Sequence, residues 1–275
     1  SGGLSAPAEG PGQWPGAACK ADARAAALRG GFGPAPAWVA VRPAQCRCMS
    51  TLQHTEFQAA IVDLDGTMVD TVGDFEVALR LALADLGWPP VGRDFIARTV
   101  GKGSENLLLR TLEQVGAPAA LYDQAWARYQ HHYLAINGQF SAVFPGVVEG
   151  LKLLRARGLR LACLTNKPNA FARPLLALKG LDVYFQHAFG GDAFARKKPD
   201  PLPLLQTCKA LGSEPVRTLM VGDSRNDAEA ARAAGCPVVL VSYGYNHGEP
   251  AASARPDAVI DRIDQLADLL AVSLG

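Results

Sequence analysis

The sequence predicts an α/β fold in which helices cover both faces of a parallel sheet. From residue 145 onward, short apolar runs alternate with amphipathic stretches about 10–13 residues long. This alternation is typical of βαβ units, whose parallel strands are buried on both faces. In addition, about 70 residues of helical pattern follow the first apolar run before the alternation begins. We therefore expect a helical domain to be inserted after the first strand.

The first strand and the insert are predicted from two different periodicities. The run FQAAIVDL, residues 57–64, is apolar and contains β-branched residues, which indicates a buried parallel strand. The insert begins at Thr71, after which Phe and Leu residues recur at helical spacing until Gly87. We find no strand pattern between residues 70 and 140. Further helices of the insert are predicted at about 92–99, 104–115 and 118–136.

The remaining elements alternate between strand and helix. Strands are predicted at LRLACLT (159–165), YFQHAFG (184–190), RTLMVGD (217–223), PVVLVS (237–242) and DAVI (257–260), and helices at 145–158, 168–180, 200–212, 225–235 and 263–271. The pattern predicts a core domain made of residues 55–70 and 142–275. Residues 71–141 then form the inserted helical domain.

The first 48 residues differ in composition from the rest of the chain. They are rich in Gly, Ala and Pro, show no sustained period, and precede the first methionine, Met49. We interpret residues 1–48 as a disordered or non-native leader. A transit peptide is the alternative, because the segment contains arginines and few acids.

Composition and charge exclude some functions and favour one location. The formal net charge of +1 argues against a nucleic-acid or membrane-surface partner, which would favour a basic surplus. No apolar run approaches the roughly 18 residues of a membrane helix. Three cysteines outside the leader, Cys163, Cys208 and Cys236, lie in apolar contexts and are expected to be free thiols in a reducing cytoplasm. The assembly state is left open between monomer and homodimer.

Polar residues follow several predicted strands directly. Because ligands of open α/β sheets bind outside the carboxyl ends of the strands, we expect these residues to share one site. Asp63 and Asp65 end the first strand, and Gly66 permits the tight turn behind them. The other members are Thr165 and Asn166 after the second core strand, Lys198 in a loop, and Asp223 with Asp227 after RTLMV.

This set of side chains indicates phosphoryl transfer. The carboxylates of Asp63, Asp65 and Asp223 would repel each other if they met at one point, and a hard cation such as Mg²⁺ removes that repulsion. Thr165, the amides around Asn166 and Lys198 would hold an anion beside the cation. Of Asp63 and Asp65, which point to the same side of an extended strand end, one is suited to nucleophilic attack and the other to proton transfer.

Four motifs, in order, resemble those of the haloacid dehalogenase superfamily of phosphohydrolases. They are DLDGT (63–67), the Thr of LTN (165), the second Lys of KKPDP (198) and GDSRND (222–227). The resemblance covers roughly residues 55–271 and implies a Rossmann-like core with a helical cap, the inserted domain of residues 71–141. The stretches FPGV, TNKP, KKPDP and YGYNHGEP are similar to those of the bacterial phosphoglycolate phosphatase branch.

The resemblance implies a role for each acid. Asp63 would attack phosphorus and form an aspartyl-phosphate, and Asp65 would protonate the leaving alkoxide and then activate water. Mg²⁺ would be held by the carboxylate of Asp63, the backbone carbonyl of Asp65 and Asp223, with Asp227 in support. Asp70, at the entry to the cap, is interpreted as a turn or cap residue.

The resemblance also implies a phosphate site and a substrate. Thr165, Lys198 and the backbone amides of Leu64 and Asn166 would bind the phosphoryl oxygens, and Lys198 is preferred over its neighbour Lys197. The expected reaction is Mg²⁺-dependent hydrolysis of a small phosphorylated metabolite, with 2-phosphoglycolate first. Another sugar-phosphate phosphatase, a mutase, a pyrophosphatase and a non-catalytic binding protein of the same fold are the alternatives.

Substrate choice is expected to lie in the cap loop TVGKGSENLL, residues 99–108. This loop is polar and contains two glycines, and it resembles the specificity loop of the superfamily. Lys102, Ser104 and Asn106 are candidates to contact a substrate carboxylate. For Lys102, a solvated loop charge is an equally good interpretation.

Overall fold

The computed structural model describes Leu52 and residues 55–270. The α/β fold predicted from the sequence is confirmed in this part of the chain. The predicted leader, residues 1–48, lies outside the described residues. Among the helices that are described, none combines the length and the apolar character needed to cross a membrane.

The strands form one large sheet and one small antiparallel pair. In chain order they are β1 (Ala59–Val62), β2 (Val69–Asp70), β3 (Ala142–Val143), β4 (Arg160–Leu164), β5 (His187–Phe189), β6 (Thr218–Gly222), β7 (Val238–Val241) and β8 (Ala258–Ile260). The large sheet has the order β5-β4-β1-β6-β7-β8, and all its neighbouring strands are parallel. The first strand is therefore central, between β4 and β6.

The helices fall into two groups along the chain. In chain order they are α1 (Val72–Asp85), α2 (Arg93–Thr99), α3 (Ser104–Val115), α4 (Tyr122–Ile136), α5 (Val147–Ala156), α6 (Asn169–Leu178), α7 (Leu202–Leu211), α8 (Arg225–Ala234) and α9 (Leu266–Leu269). Helices α1 to α4 lie in residues 71–141, the segment predicted to form the cap, and the later ones pack with the sheet; the division into two domains stays a prediction. The helix predicted at 263–271 is instead a 3₁₀ turn, Ile263–Gln265, followed by α9. The Gln265 side chain accepts hydrogen bonds from backbone amides ahead of this turn.

Both faces of the sheet are buried, as the apolar strands predicted. Along β1, Ala60 and Val62 face one apolar cluster, whereas Ala59 and Ile61 face the other. This division follows from the two-residue period of a strand. Each face is covered by helices, which leaves the ends of the strands as the accessible edges.

Apolar side chains of the cap form one cluster together with Phe171 of α6, and β2 and β3 lie where the chain enters and leaves the cap. Val69 pairs with Val143 and Asp70 with Ala142, so the chain enters and leaves the cap side by side. These two-residue strands are too short to show an alternating pattern, and the sequence did not predict them. Phe171, on α6 of the core, packs against Tyr133 of the cap at a ring distance of 4.7 Å.

Candidate active site

The candidate site lies at the carboxyl ends of three neighbouring strands. Asp63 follows β1, Thr165 follows β4 and Asp223 follows β6. Since β1 lies between β4 and β6, the sheet order alone brings these residues together. The Asp63 amide donates a hydrogen bond of 2.9 Å to the Val221 carbonyl, which fixes where the first strand ends.

Three buried acids form a cluster suited to a cation. One carboxylate oxygen each from Asp63, Asp223 and Asp227 lies within 4.8 Å of the other two. Burial raises the pKa of Asp63 to about 7, against the opposing charge of Lys198. Burial, and then the charges of Asp227 and Asp63, hold the pKa of Asp223 well above its usual range. In the absence of a cation, the cluster therefore carries a strong penalty on full ionisation.

Lys198 provides a fixed positive charge beside these acids. Its Nζ donates to Asp227 Oδ1 at 2.7 Å and to the Leu164 carbonyl at 2.8 Å, and it lies 3.1 Å from Asp63 Oδ1. Burial opposes its charge, but Asp227 and Asp63 together raise the pKa of Lys198 above its ordinary value. The ammonium is therefore charged at neutral pH and held next to Asp63.

Asp227 is the part of the cluster most firmly fixed by hydrogen bonds. Its Oδ2 accepts the Ser224 hydroxyl at 3.0 Å and the Ser224 amide at 3.2 Å, so it closes a capping box at the start of α8. Its other oxygen accepts from Lys198. The supporting role of Asp227 stays a prediction, and its position makes it the third carboxylate of the cluster.

Thr165 and Asn166 follow β4, which lies on the other side of β1 from β6 and its Asp223. The Asn166 side chain accepts from the Lys198 amide at 3.0 Å and donates to the Lys198 carbonyl at 2.8 Å, which fixes the Lys198 loop. It also donates to the carbonyl of Gly101 in the cap at 2.9 Å. Thr165 is buried, and its hydroxyl accepts from the Lys167 amide at 3.2 Å.

Gly66 lies in a position that a side chain would disturb. Its φ of +78° is unfavourable for other residues, and a Cβ there would be 2.6 Å from Asp223 Oδ2. The neighbouring Thr67 hydroxyl donates to Asp223 Oδ1 at 3.3 Å. The turn after the first strand thus leaves room for Asp223 and also helps to orient it.

The carboxylate of Asp65 points away from the acid cluster and pairs with Lys167. Asp65 Oδ1 accepts from Lys167 Nζ at 3.0 Å and from the Thr71 hydroxyl at 2.8 Å. Lys167 also donates to the Tyr133 hydroxyl at 2.6 Å, and its Nζ lies 4.3 Å from the centre of the Phe75 ring. Burial lowers the pKa of Lys167, against the charge of Asp65.

Sequence reasoning assigned no role to Lys167. It belongs to the stretch TNKP, but only the Thr and Asn of that stretch were predicted to act. The side chain is fully buried, which is rare for a lysine without a specific partner. The available signal was that Lys167 directly follows Thr165 and Asn166. Its partners, Asp65 and residues of the cap, are distant in the sequence and gave no such signal.

The cap closes a small cavity over these residues. The cavity measures about 340 Å³ including its opening to solvent, and Asp63, Asp65 and Lys167 line its core side. Gly103 and Ser104 are among the residues that line it from the cap. Of the predicted specificity residues, Ser104 is therefore at the site. Lys102 borders two other cavities and Asn106 borders one of these.

The fold and the site together define the class of protein. Residues 57–235 match the family model described as haloacid dehalogenase-like hydrolase, and the chain belongs to that family. Within it, the chain is 44% identical over 213 residues to the phosphoglycolate phosphatase of Thiobacillus denitrificans, with 76% of this chain and 94% of that protein covered. It is 46% identical to the plasmid phosphoglycolate phosphatase of Cupriavidus necator, with 77% and 92% covered.

A solved structure supports the same relationship. The crystal structure of a protein named a predicted phosphoglycolate phosphatase, from Haemophilus somnus, superposes with a TM-score of 0.74 and is 31% identical in sequence. The match covers 78% of this chain and 99% of that one. The resemblance inferred from the four motifs is thus confirmed.

Proposed function

We propose that the chain is a Mg²⁺-dependent phosphatase that hydrolyses 2-phosphoglycolate to glycolate and phosphate through an aspartyl-phosphate. The observation that carries the proposal is Asp63, held 3.1 Å from Lys198 in a buried group with Asp223 and Asp227. In this group Asp63 would be the nucleophilic carboxylate, with a fixed ammonium on one side and a candidate cation site on the other. The named relatives support the choice of substrate.

The acid cluster fits Mg²⁺. Its members are oxygen donors, all buried, and their mutual repulsion is the kind that a hard divalent cation relieves. Asp63, Asp223 and the backbone carbonyl of Asp65 would hold the ion, with Asp227 bonded behind them. When bound, Mg²⁺ supplies positive charge that offsets the charge of the phosphoryl oxygens and of the carboxylates.

The chain's own residues account for the two chemical steps. Asp63 forms the new bond to phosphorus as the bond from phosphorus to the glycolate oxygen breaks. Asp65 gives a proton to that leaving oxygen and later takes one from the water that cleaves the aspartyl-phosphate. Lys198 and Thr165 hold the phosphoryl oxygens, and the cap, which lines the cavity with Gly103 and Ser104, limits the access of bulk water.

A substrate panel tests this function. We expect the highest kcat/KM for 2-phosphoglycolate in a panel of phosphorylated metabolites. The panel includes inorganic pyrophosphate and hexose phosphates, among them β-glucose 1-phosphate. The physical reason is that a hexose is a much larger leaving group than glycolate and would have to fit against the same cavity wall of Asp65, Phe75 and Leu107. A clear preference for a hexose phosphate or for pyrophosphate would overturn the substrate, and absence of hydrolysis for every phosphate ester would overturn the function.

Mg²⁺ is expected to stabilise the folded protein more at about pH 7.5 than at about pH 5. Without a cation, the pKa of Asp63 is raised from 3.8 to about 7, so the folded state keeps a proton that the unfolded state loses between those values. The contribution of Asp63 to the free energy of unfolding therefore falls as pH rises through that range. Mg²⁺ competes with the proton and removes the loss, adding about 2.7 kcal/mol at 100 times its Kd.

Thermal melts with Mg²⁺ and with a chelator at both pH values measure this increment. Asp223→Asn should lose it, whereas Asp94→Asn, which removes an exposed acid outside the cluster, should keep it. An increment that is equal at both pH values, or that survives Asp223→Asn, would contradict the assignment of the cation site.

Location and assembly stay predictions. Three cysteines among the described residues, Cys163, Cys208 and Cys236, are buried and free, which supports the proposal of a reducing, cytoplasmic environment. The choice between monomer and homodimer is kept open.

A further inference from the structure

The wall of the catalytic cavity that surrounds Asp65 contains groups that the phosphoryl chemistry does not use. Asp65 is assigned to the leaving oxygen, so the side chains around it face the part of the substrate beyond that oxygen. In 2-phosphoglycolate this part is one methylene followed by a carboxylate. The groups on this wall therefore decide which leaving groups the enzyme accepts.

Lys167 supplies a positive charge on this wall. Its ammonium lies 3.0 Å from Asp65 Oδ1 and lines the cavity, while the rings of Phe75 and Tyr133 hold its side chain. Lys198, in contrast, is occupied by Asp227, Asp63 and the Leu164 carbonyl on the phosphoryl side. Lys167 is therefore the lysine that lines the cavity, whereas Lys198 is bonded among the acids of the cluster.

Ser104 supplies a hydroxyl without a partner on the cap side of the same wall. The residue is 3% exposed and lines the cavity, and its Oγ makes no hydrogen bond of good geometry among the described residues. The Tyr129 hydroxyl is close enough to interact with Ser104, but neither hydroxyl has a partner within hydrogen-bonding geometry among the described residues. A buried hydroxyl in this condition indicates a missing ligand, because such groups are nearly always satisfied.

The start of α3 adds a third favourable feature for an anion. Ser104 is the first residue of this helix of 12 residues, and Gly103 before it provides no side-chain cap. Both residues line the cavity. The free backbone N–H groups and the helix dipole at this end favour a negative charge in front of them.

We propose that Lys167, the Ser104 hydroxyl and the start of α3 form a carboxylate subsite that binds the acid group of the leaving alcohol. This inference rests on the proposed phosphatase function and adds the residues that make it selective for a phosphorylated hydroxy acid. It also replaces Lys102, which borders other cavities, as the cationic specificity residue.

The test compares two substrates that differ only at the carboxylate. These are 2-phosphoglycolate and 2-hydroxyethyl phosphate, in which a neutral hydroxymethyl group replaces the acid. The measured quantity is the ratio of their kcat/KM values with the full-length enzyme and Mg²⁺. Effects on Asp65 act on both substrates and cancel in this ratio, so the ratio reports recognition of the carboxylate.

Lys167→Met is expected to lower the ratio about 100-fold, since it removes the buried positive charge that the proposal pairs with the substrate carboxylate. Lys167→Arg should restore part of the preference because it keeps the charge. Ser104→Ala, which removes one oxygen atom, provides an independent variant and should lower the ratio about 10-fold. Lys102→Met should leave the ratio unchanged.

The outcomes separate this inference from the proposed function. If the wild type prefers 2-phosphoglycolate and keeps that preference in both Lys167→Met and Ser104→Ala, the subsite is wrong and the phosphatase stands. The same holds if Lys102→Met alone abolishes the preference. If the wild type hydrolyses neither substrate nor p-nitrophenyl phosphate, the phosphatase function itself fails.

Discussion

Asp63→Asn is expected to lower kcat for 2-phosphoglycolate on the order of 10⁴-fold or more, the scale seen when a covalent nucleophile is removed. The amide keeps the shape of the side chain and can still accept from the Leu64 amide, which bonds Asp63 Oδ1 at 2.8 Å. It lacks the charge and the nucleophilic oxygen that form the bond to phosphorus. The loss should therefore appear in the chemical step, with saturating substrate and Mg²⁺.

Two measurements check this result. Initial rates give kcat, and acid-quenched samples analysed by mass spectrometry show whether a phosphoryl group is bound to the protein. The wild type should carry it transiently at Asp63, and the variant should not. Retention of more than about a tenth of the activity, or a phosphorylated variant, would show that Asp63 is not the nucleophile.

Asp70→Asn is the matched control on the same stretch of chain. Asp70 accepts from the Tyr245 hydroxyl at 2.8 Å and is not part of the acid cluster. We expect kcat within a few-fold of the wild type.

Folding is a second control for Asp63→Asn. Because burial raises the pKa of Asp63, removing its charge should not lower the free energy of unfolding in chelator at neutral pH.

The sequence could predict the core of this site because the fold determines it. In a parallel sheet, residues directly after adjacent strands must meet at one edge, and Asp63, Thr165 and Asp223 each follow a strand that the apolar pattern reveals. Lys198 lies in a loop, and its position follows from the motif resemblance. Backbone topology and four short motifs were thus sufficient to predict which residues meet at this edge of the sheet, while their roles in catalysis stay predictions.

The leaving-group half depends on contacts between the cap and the core, which no local pattern records. Lys167 is placed by Tyr133 and Phe75, which come from two different cap helices, α4 and α1. Ser104 and Lys102 lie two residues apart in one polar loop, yet Ser104 lines the catalytic cavity and Lys102 borders others. The path of the chain into α3 determines which of the two residues lines the catalytic cavity. The composition of the loop does not reveal that path.

Contacts between distant parts of the chain also decide which acids meet in the cluster. All three carboxylates of the cluster were among the predicted residues, but the sequence grouped Asp65 with Asp63 because they are two residues apart. In the structure the Asp65 side chain bonds Lys167 and Thr71, while Asp227, one turn into α8, joins Asp63 and Asp223. Side-chain direction after a strand end depends on which partners arrive from elsewhere.

Lys198→Met is expected to lower both activity and stability. The variant leaves Asp63 and Asp227 buried without their cation, and breaking such a pair destabilises a fold by about 3 kcal/mol. Loss of a fixed charge beside the phosphoryl group should lower kcat on the order of 10²–10³-fold. Denaturant unfolding in chelator gives the first quantity, and initial rates with Mg²⁺ give the second.

The loss of stability should depend on pH in a defined direction. Without Lys198, the pKa of Asp63 in the folded state, already raised by burial, moves further above its unfolded value. Such an acid destabilises the fold as pH rises through that range and has no effect below about pH 4, where both states are protonated. The difference from the wild type should therefore be small near pH 4 and fully developed at neutral pH.

Lys197→Met is the matched control, because it removes the same charge one residue earlier. Lys197 pairs with Glu105 at 2.8 Å, but both side chains are partly exposed, and such pairs contribute less than about 1 kcal/mol. We expect near-normal stability and turnover for this variant. If the two variants lost equal stability, or if the loss in Lys198→Met were the same at pH 4 and pH 7, the buried charge of Lys198 would not be what balances the acids. The cluster would then have to be stabilised by another group.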